Sequence, residues 1–379
     1  MNIYLSGVNT KNKGAELMLC AIIKEIEKKY PSATVYIPNN IKQQDIDYLN
    51  SSLKFRHQPI AKIGEKFRAQ GVLKKFKLPY AWFISEYPLS SIDYFFDASG
   101  YTFTDSWHHT PYLSEFWEMV LKHVKSKQGK IIFLPQAFGP ANEKNTINGI
   151  RTIGKYANLI FARENISYDC LVKCGINSDI IKNYPDFTIS VQGYVPDKYS
   201  HLRNSVCIIP NKRMIDRGIT TKEKYINFYC NIINTVNTEN KTCYLLNHEG
   251  VEDLNLAKEI KKCLNSDIEI VTNLNALEIK GLISSSYLCI SSRFHGVSSA
   301  LNSKVPCLAT SWSHKYEKIF EDFNQKESIL DINNITKSRN TVLGLLNEET
   351  NKRVRLELEE KNSIIKSKNE QMWNLIWNY

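Results

Sequence analysis

The segment from Tyr287 to Thr310 constrains the fold of this 379-residue chain more than any other. It opens with a short apolar run, 287–290, whose length and composition indicate a buried parallel strand. After a polar turn, small residues at 297–302 predict a helix that can pack closely on a sheet, and the apolar run 305–310 predicts the next strand. Strand, turn, helix and strand form one βαβ unit. The turn therefore lies at the carboxyl end of a strand, the edge at which open α/β sheets bind ligands.

The turn contains side chains suited to anion binding and to proton transfer, namely Ser292, Arg293, Phe294, His295 and Gly296. Arg293 presents a planar fork of N–H donors that matches a carboxylate or a phosphate. His295 can give or take a proton near neutral pH. The free N–H groups at the start of the helix favour an anion at the same place. In a structural alternative, Arg293 pairs with a carboxylate and His295 caps the helix, but their occurrence in one turn favours an anion site.

Chain length and pattern together predict two domains. A chain of 379 residues is too long for one ordinary core. Strand and helix patterns alternate through the first half and again after residue 205, and the stretch 191–204 between them has the composition of a linker. We therefore predict an α/β fold with an N-terminal Rossmann-like domain, 1–195, a C-terminal one, 205–335, and a C-terminal helix, 350–379. Near its end, Trp373 and Trp377 would dock on the first domain or lie at a membrane surface.

Composition excludes several classes of protein. The chain is 42% hydrophobic and 11% aromatic, enough for two cores, and has no apolar run of about 18 residues that could span a bilayer. Its nine cysteines include no CxxC pair, which predicts a reducing compartment and no zinc site. The start shows no signal-peptide pattern, so we expect a cytoplasmic protein. The net charge of +10 favours anionic partners, and the sequence has no nucleic-acid-binding motif.

Other turns at predicted strand ends contain polar or cationic residues. The loop 7–14 has neither the dinucleotide-binding pattern nor a P-loop ending, so it is a plain connection or an anion cradle that uses Asn side chains and Lys11 or Lys13. Residues 210–213 and 247–249 occupy equivalent strand ends in the second domain. These positions predict further cations and proton-transfer groups at the same sheet edge.

Two segments of the first domain have compositions that suggest surfaces for a substrate. Residues 97–109 combine small residues, aromatics and Asp105, which suits the rim of a sugar-binding site. The adjacent His108 and His109 would point apart, so they do not predict a metal site. Residues 54–77 are basic and irregular, which indicates a solvated helical insertion or a surface for anionic lipid or a charged glycan.

The sequence resembles the polysaccharide pyruvyl transferase family. The likeness is found in Asn12-Lys13-Gly14-Ala15-Glu16, Leu134-Pro135-Gln136 with Gly139-Pro140, Ala162-Arg163-Glu164, and above all Ser292-Arg293-Phe294-His295-Gly296 with Lys315 downstream. It implies two Rossmann-like domains facing across a cleft, as in glycosyltransferases of the B type. It also implies transfer of a pyruvyl group from phosphoenolpyruvate to two hydroxyls of a sugar, giving a cyclic ketal. The chain differs from the family pattern at 97–100, where members often have a run of glycines.

The resemblance and the chemistry of phosphoenolpyruvate together give a set of expected site residues. The Arg and His of the family turn, associated there with phosphoenolpyruvate, correspond to Arg293 and His295, which we expect to be catalytic. Several fixed cations must hold the donor's carboxylate and phosphate. For donor binding we expect Ser292, Gly296, Arg213, Arg163 and Lys315. For acceptor binding we expect Asn12, Gly14, Glu16, Asp105 and Trp107. No metal and no cofactor are expected, since phosphoenolpyruvate is itself the donor substrate.

The expected partners are phosphoenolpyruvate, a saccharide or lipid-linked oligosaccharide, and a peripheral contact with anionic membrane at its inner face, without nucleic acid. Two other functions stay open at the level of sequence. A nucleotide-sugar-dependent glycosyltransferase would use the same architecture and would bind a nucleotide instead of phosphoenolpyruvate. A non-catalytic anion-binding protein of envelope assembly would tolerate loss of His295 without losing its ligand.

Overall fold

Two parallel β-sheets organise the residues that the computed structural model describes, which are 1–58, 92–106, 115–264, 267–311 and 315–379. Seven strands form the first sheet: β1 (Asn2–Ser6), β2 (Thr34–Ile37), β3 (Lys54–His57), β4 (Tyr94–Asp97), β5 (Lys130–Gln136), β6 (Leu159–Ala162) and β7 (Ile181–Asn183). Their spatial order is β3-β2-β1-β4-β5-β6-β7. All neighbouring strands are parallel, and the order is that of a doubly wound Rossmann sheet with one further strand at its end.

The second sheet repeats the same winding with fewer strands. It consists of β8 (Val206–Ile209), β9 (Cys243–Leu246), β10 (Glu269–Val271), β11 (Leu288–Ser291) and β12 (Cys307–Ala309). The order is β10-β9-β8-β11-β12, again all parallel. In this order the chain reverses direction across the sheet between β8 and β11, and that switch point is where such sheets bind ligands.

Helices connect the strands and cover the sheets. They are α1 (Lys13–Lys29), α2 (Glu115–Ser126), α3 (Lys144–Tyr156), α4 (Asn165–Lys173), α5 (Arg213–Asp216), α6 (Lys222–Thr238), α7 (Gly250–Lys262), α8 (Ala276–Ser284), α9 (Phe294–Asn302), α10 (Lys315–Asp322), α11 (Ile335–Leu346) and α12 (Glu348–Trp377). The strands β8, β9 and β11 are fully or almost fully buried, as expected for a parallel sheet covered on both faces. The expected fold class is therefore confirmed.

The chain divides into two compact units. The first unit consists of residues 1–10, 18–187 and 368–379, and the second unit consists of residues 11–17 and 188–367. The division differs from the predicted domains in that the start of α1 belongs to the second unit. The end of α12 belongs to the first unit, as one of the two alternatives for the C-terminal helix expected. The predicted linker 191–204 is packed rather than extended, because a Cβ on Gly193 would lie 2.2 Å from the backbone nitrogen of Gly281 in α8.

The tryptophans of α12 dock within the first unit. Trp373 is 2% exposed and stacks on Trp377 with ring centroids 5.5 Å apart. Trp377 meets the rings of Tyr30 and Tyr94 edge to face at 5.5 and 5.3 Å. Of the two alternatives for these side chains, the structure shows packing in the core rather than a free aromatic surface.

One strand has an irregular course, and one local prediction needs correction. Strand β5 continues through Pro135 to Gln136, with an irregular register between Phe133 and Gln136. Residues 54–57 of the basic segment form an edge strand, β3, rather than part of a helical insertion, and residues 59–77 lie outside the described residues. Across the described ranges, no helix has both the length and the apolar character that a membrane span requires.

Candidate functional site

The candidate site lies at the switch point of the second sheet. Strands β8 and β11 are neighbours there, with Ile209 beside Ser291 in the register. The turn after β11 leads directly into α9, and the turn after β9 leads into α7. The side chains that meet at this edge of the second unit are Lys13, His248, Glu249, Asp253, Arg293 and His295, which we call the switch-point cluster.

Three helices begin at this cluster. Asn12 caps α1, because its Oδ1 accepts hydrogen bonds from the backbone N–H groups of Gly14 at 2.9 Å and Ala15 at 3.1 Å. Its Nδ2 donates to Glu249 Oε1 at 3.1 Å, and Glu249 is the N-cap residue of α7. Glu249 in turn pairs with Arg293, the N-cap residue of α9. Neither Glu249 nor Arg293 caps its own helix through its side chain.

Arg293 is held by two carboxylates. Its Nε donates to Asp253 Oδ2 at 2.8 Å, its Nη2 donates to the same oxygen, and its Nη1 donates to Glu249 Oε2. The side chain of Asp253 is only 2% exposed, whereas that of Glu249 is 28% exposed. Burial raises the pKa of Asp253 although the Arg293 guanidinium acts in the opposite direction. The structural alternative for Arg293, pairing with a carboxylate, is therefore observed, and three of its five N–H groups make these bonds.

His295 packs directly against the start of α1. A Cβ on Gly14 would lie 2.1 Å from His295 Nδ1, so only glycine allows the two segments to approach this closely. The imidazole of His295 also meets the ring of Phe294 edge to face at 5.5 Å. Its ring is half-buried and lies in the same turn as Arg293. The structure thus brings together the two residues expected to be catalytic.

His248 is the most enclosed member of the cluster. It is 5% exposed and is the second residue after the end of β9. Its pKa lies well below the ordinary histidine value, because of burial first and then the positive charges of Arg293, His295 and Lys13. Among the described residues its Nδ1 has no hydrogen-bond partner. The sequence placed His248 at this sheet edge, among the positions expected for further proton-transfer groups.

Ser292 and Gly296, both expected to bind the donor, have structural roles in the turn. Ser292 is fully buried, and its Oγ bonds the hydroxyls of Tyr225, Tyr229 and Thr310 at 2.6, 2.7 and 2.5 Å. A Cβ on Gly296 would lie 2.4 Å from Ser291 Oγ, so this glycine permits close packing of α9 on the sheet. These contacts give both residues a part in fixing the turn that contains Arg293 and His295.

The structure describes the further cations expected for the donor to different extents, and the charge of Arg213 acts to lower the pKa of Asp253 against the effect of burial. The Arg213 side chain is 55% exposed and lies 4.0 Å from Asp216 in its own helix. Arg163 belongs to the first unit, where its Nε lies 3.5 Å from Glu164. Lys315 is the first residue of α10, and its side chain lies outside the described part of the structure. The cation near the cluster that the sequence named only as one of two alternatives is Lys13.

The described residues among those expected to bind the acceptor are divided between the two units. Asn12, Gly14 and Glu16 lie in the second unit, with the cluster. Glu16 is 1% exposed, and its Oε1 accepts a hydrogen bond at 3.1 Å from the first backbone N–H of α8, while Oε2 pairs with Lys13 at 2.6 Å. Asp105, in the first unit, accepts hydrogen bonds from the backbone N–H groups of residues 142 and 143 at 2.8 and 3.2 Å, ahead of α3. These contacts favour structural roles for Glu16 and Asp105, and Trp107 lies outside the described residues.

A second polar group lies at the carboxyl edge of the first sheet. Asp97, at the end of β4, accepts hydrogen bonds from Gln136 Nε2 at 3.1 Å and from Ser99 Oγ at 2.9 Å. A Cβ on Gly7 would lie 2.4 Å from the backbone nitrogen of Ser99, so the turn after β1 packs against this group. The group includes the first residues of the predicted sugar-binding rim.

Sequence reasoning did not identify Asp253, the buried partner of Arg293. The signal was present, because Asp253 follows Glu249 by four residues and that spacing places both on one side of a helical turn. Recognising it required knowing that the helix after β9 begins next to the turn after β11, which is a property of the strand order.

Comparison with known proteins agrees with this architecture. The fold and the placement of the site at a switch point define a protein with two Rossmann-like domains. The model of the polysaccharide pyruvyl transferase family matches residues 12–314, and the chain belongs to that family. No curated protein matches the chain.

Solved structures with similar folds have low sequence identity to this chain. Anabaena HepE in complex with UDP-glucose has a TM-score of 0.60 at 13% identity, over the full length of both chains. The UDP-GlcNAc 2-epimerase of Methanocaldococcus jannaschii has a TM-score of 0.58 at 14% identity, covering 92% of this chain and 94% of the other. MnaA of S. aureus, solved with UDP, has a TM-score of 0.58 at 13% identity, with 95% and 91% covered. At these identities the likeness shows the fold alone.

Proposed function

We propose that this protein transfers the pyruvyl group of phosphoenolpyruvate to two hydroxyls of a sugar in a cell-surface polysaccharide or its lipid-linked precursor, forming a ketal. Family membership supports pyruvyl transfer to a polysaccharide. The net charge of +10 supports an anionic donor and work near an anionic membrane at its inner face.

The observation that best supports phosphoenolpyruvate as the donor is that helices α1, α7 and α9 all begin at the switch-point cluster. Phosphoenolpyruvate has a carboxylate and a phosphate, and helix starts stabilise both kinds of anion. Lys13 and Arg293 add positive charge at the same place. Glu249 is partly exposed, so an anionic group of the donor can take its place on Arg293 Nη1.

His295 is the residue that we propose for proton transfer. Protonation of C3 of the donor makes C2 electrophilic, and a sugar hydroxyl oxygen then bonds to C2. Departure of the phosphate and attack by a second hydroxyl oxygen close the ketal. The two hydroxyl protons are balanced by the new C3–H bond and by the released hydrogen phosphate. His295 lies beside the helix starts, where it can exchange these protons with the donor and the first hydroxyl.

A titration of phosphoenolpyruvate against UDP-glucose and UDP-N-acetylglucosamine tests the donor. We expect phosphoenolpyruvate to raise the melting temperature and the two nucleotide-sugars to leave it unchanged, with inorganic phosphate and pyruvate as controls for simple anions. His295→Gln should keep most of the donor affinity and lose turnover by roughly a hundredfold or more. Stabilisation by a nucleotide-sugar and not by phosphoenolpyruvate would overturn the proposal in favour of glycosyl transfer. Intact turnover in the variant would remove His295 from the mechanism.

A further inference from the structure

His248 is a buried imidazole with an unused hydrogen-bonding atom inside the switch-point cluster. It is 5% exposed, and its Nδ1 has no hydrogen-bond partner among the described residues. A buried polar atom without a partner costs free energy, which a ligand can recover by bonding to it. The position is at the end of β9, where the chain enters α7. The two observations, an enclosed polar atom and a helix start beside it, indicate a ligand contact.

The charges around His248 explain why a titratable group is needed there. The groups whose positive charge lowers its pKa are Lys13 on α1, Arg293 at the N-cap of α9 and His295 in the first turn of α9. The neighbouring carboxylates are Glu249, next in sequence, and Asp253 on α7, and both pair with Arg293. These two carboxylates offset the guanidinium charge, and Glu16 pairs with Lys13. The two cations Lys13 and Arg293 are therefore matched by three carboxylates, so an incoming donor with several negative charges meets no net positive formal charge from these side chains, and a proton is the charge that can be added locally.

We propose that His248 contacts the anionic donor through Nδ1 and takes up a proton when the donor binds. This inference rests on the proposed function and extends it, because it names a second histidine that touches phosphoenolpyruvate. In the protein without donor, burial and the three neighbouring positive charges hold the pKa of His248 well below its ordinary value, so the ring is neutral near pH 7. A bound anion raises the pKa of His248, because it stabilises the charged imidazolium by a charge-assisted hydrogen bond.

Proton uptake distinguishes this role from a purely structural one. Calorimetric titrations with phosphoenolpyruvate in two buffers of different ionisation enthalpy, at about pH 7.5, give the number of protons bound per donor. At this pH the phosphate, with a second pKa of about 6, is already ionised and contributes little. We expect uptake on the order of half a proton for the parent protein.

Two substitutions of His248 separate the loss of its hydrogen bond to the donor from the loss of proton uptake. His248→Phe keeps the ring shape without nitrogen, so donor affinity should fall roughly tenfold, the weight of one charge-assisted hydrogen bond. His248→Asn places an amide near the Nδ1 position, so affinity should stay within about threefold while proton uptake disappears, since an amide does not titrate. His123→Phe on α2 is the matched control, because that ring also has a buried nitrogen without a partner in the described residues but lies in the first unit. It should change neither quantity.

The outcomes are decisive in each direction. If the parent protein binds no phosphoenolpyruvate, the proposed function fails and this inference fails with it. If the parent binds the donor and His248→Phe binds it equally well, only the inference fails. If proton uptake persists in His248→Asn and disappears in His295→Gln, the proton goes to His295 and the role of His248 is overturned. Loss of uptake in His248→Asn with uptake retained in His295→Gln supports the proposal.

Discussion

At the scale of single residues, the pairing of Arg293 with Asp253 decides what a substitution there does. Arg293→Ala leaves the buried carboxylate of Asp253 without its cation, which costs about 3 kcal/mol or more of folding free energy. We expect this variant to lose both donor affinity and stability. The double variant Arg293→Ala/Asp253→Asn should recover stability and not affinity, since it removes the stranded charge. Urea unfolding and donor titration on the same preparations measure both quantities, and a fully stable single variant would show that the pair is not needed by the fold.

The same pair predicts a pH dependence of stability in Arg293→Ala. Burial already raises the pKa of Asp253, and loss of the guanidinium raises it further. The folded variant then holds a proton that the unfolded chain, with an ordinary Asp pKa of about 3.9, has released. The free energy of unfolding of the variant should therefore fall as the pH rises from about 4, and the fall should continue to higher pH than in the parent, so the gap between them widens above the parent's own raised pKa. A gap between parent and variant that is the same at every pH would contradict this, and the double variant should show no slope.

Substitution of Glu249 should strengthen donor binding, whereas substitution of Arg293 should weaken it. If the donor and Glu249 compete for Arg293 Nη1, Glu249→Gln removes one negative charge from the site and should tighten phosphoenolpyruvate binding by about 1 kcal/mol, roughly fivefold. Glu252→Gln, one turn along α7, is the matched control, because its carboxylate is 63% exposed and pairs with Lys212. Calorimetric titration measures both variants. Weaker binding in Glu249→Gln would mean that the carboxylate positions Arg293 for the donor rather than competing with it.

At the scale of elements, the start of α1 sets the position of His295. Gly14→Ala would place a Cβ 2.1 Å from His295 Nδ1, so either the imidazole or the helix start must move. We expect turnover to fall at least about tenfold because a misplaced proton-transfer group is inefficient. Gly344→Ala in α11 is the control, because a Cβ there meets nothing within 4 Å and should stabilise the protein by about 0.5 to 1 kcal/mol. Phosphate release and melting temperature report the two effects, and normal turnover in Gly14→Ala would exclude the proposed contact from the mechanism.

Elements are also the scale at which sequence and structure can be compared most clearly. Alternating strand and helix patterns predicted the class of the fold, and the turn after β11 predicted Arg293 and His295 together, because each signal is local. The pairing of Asp253 with Arg293 and the placement of Glu16 on the start of α8 depend on residues 40 and 260 positions apart. Such contacts follow from strand order, which local periodicity does not contain. Glu16 illustrates the consequence, since a carboxylate in the first turn of α1 serves another helix.

At the scale of the whole molecule, neither unit is one continuous stretch of the sequence. The donor cluster is confined to the second unit, yet it includes residues 12–14 from near the start of the chain. The first unit in turn includes residues 368–379 from the end. A cut of the chain near residue 190 would therefore remove part of each unit, and the boundary predicted from linker composition does not describe two independent pieces.

The last helix allows the two units to be tested separately. Trp373 is 2% exposed and meets the rings of Phe96 and Phe187 edge to face at 6.1 and 6.2 Å, all within the first unit. Trp373→Ala should cost about 3 to 5 kcal/mol of stability, the usual effect of removing a buried tryptophan side chain. Leu356→Ala is the control on the same helix, because Leu356 is 64% exposed and belongs to the second unit.

The donor affinity of Trp373→Ala shows whether the first unit contributes to the donor site. The side chains of the switch-point cluster all belong to the second unit, so we expect the affinity for phosphoenolpyruvate to stay within about twofold of the parent below the melting transition. Differential scanning calorimetry with and without the donor should show a lowered transition that phosphoenolpyruvate does not raise and a second transition that it does, because a ligand stabilises only the part of the protein that binds it. A loss of donor affinity in the folded variant would show that the first unit also contributes to the donor site.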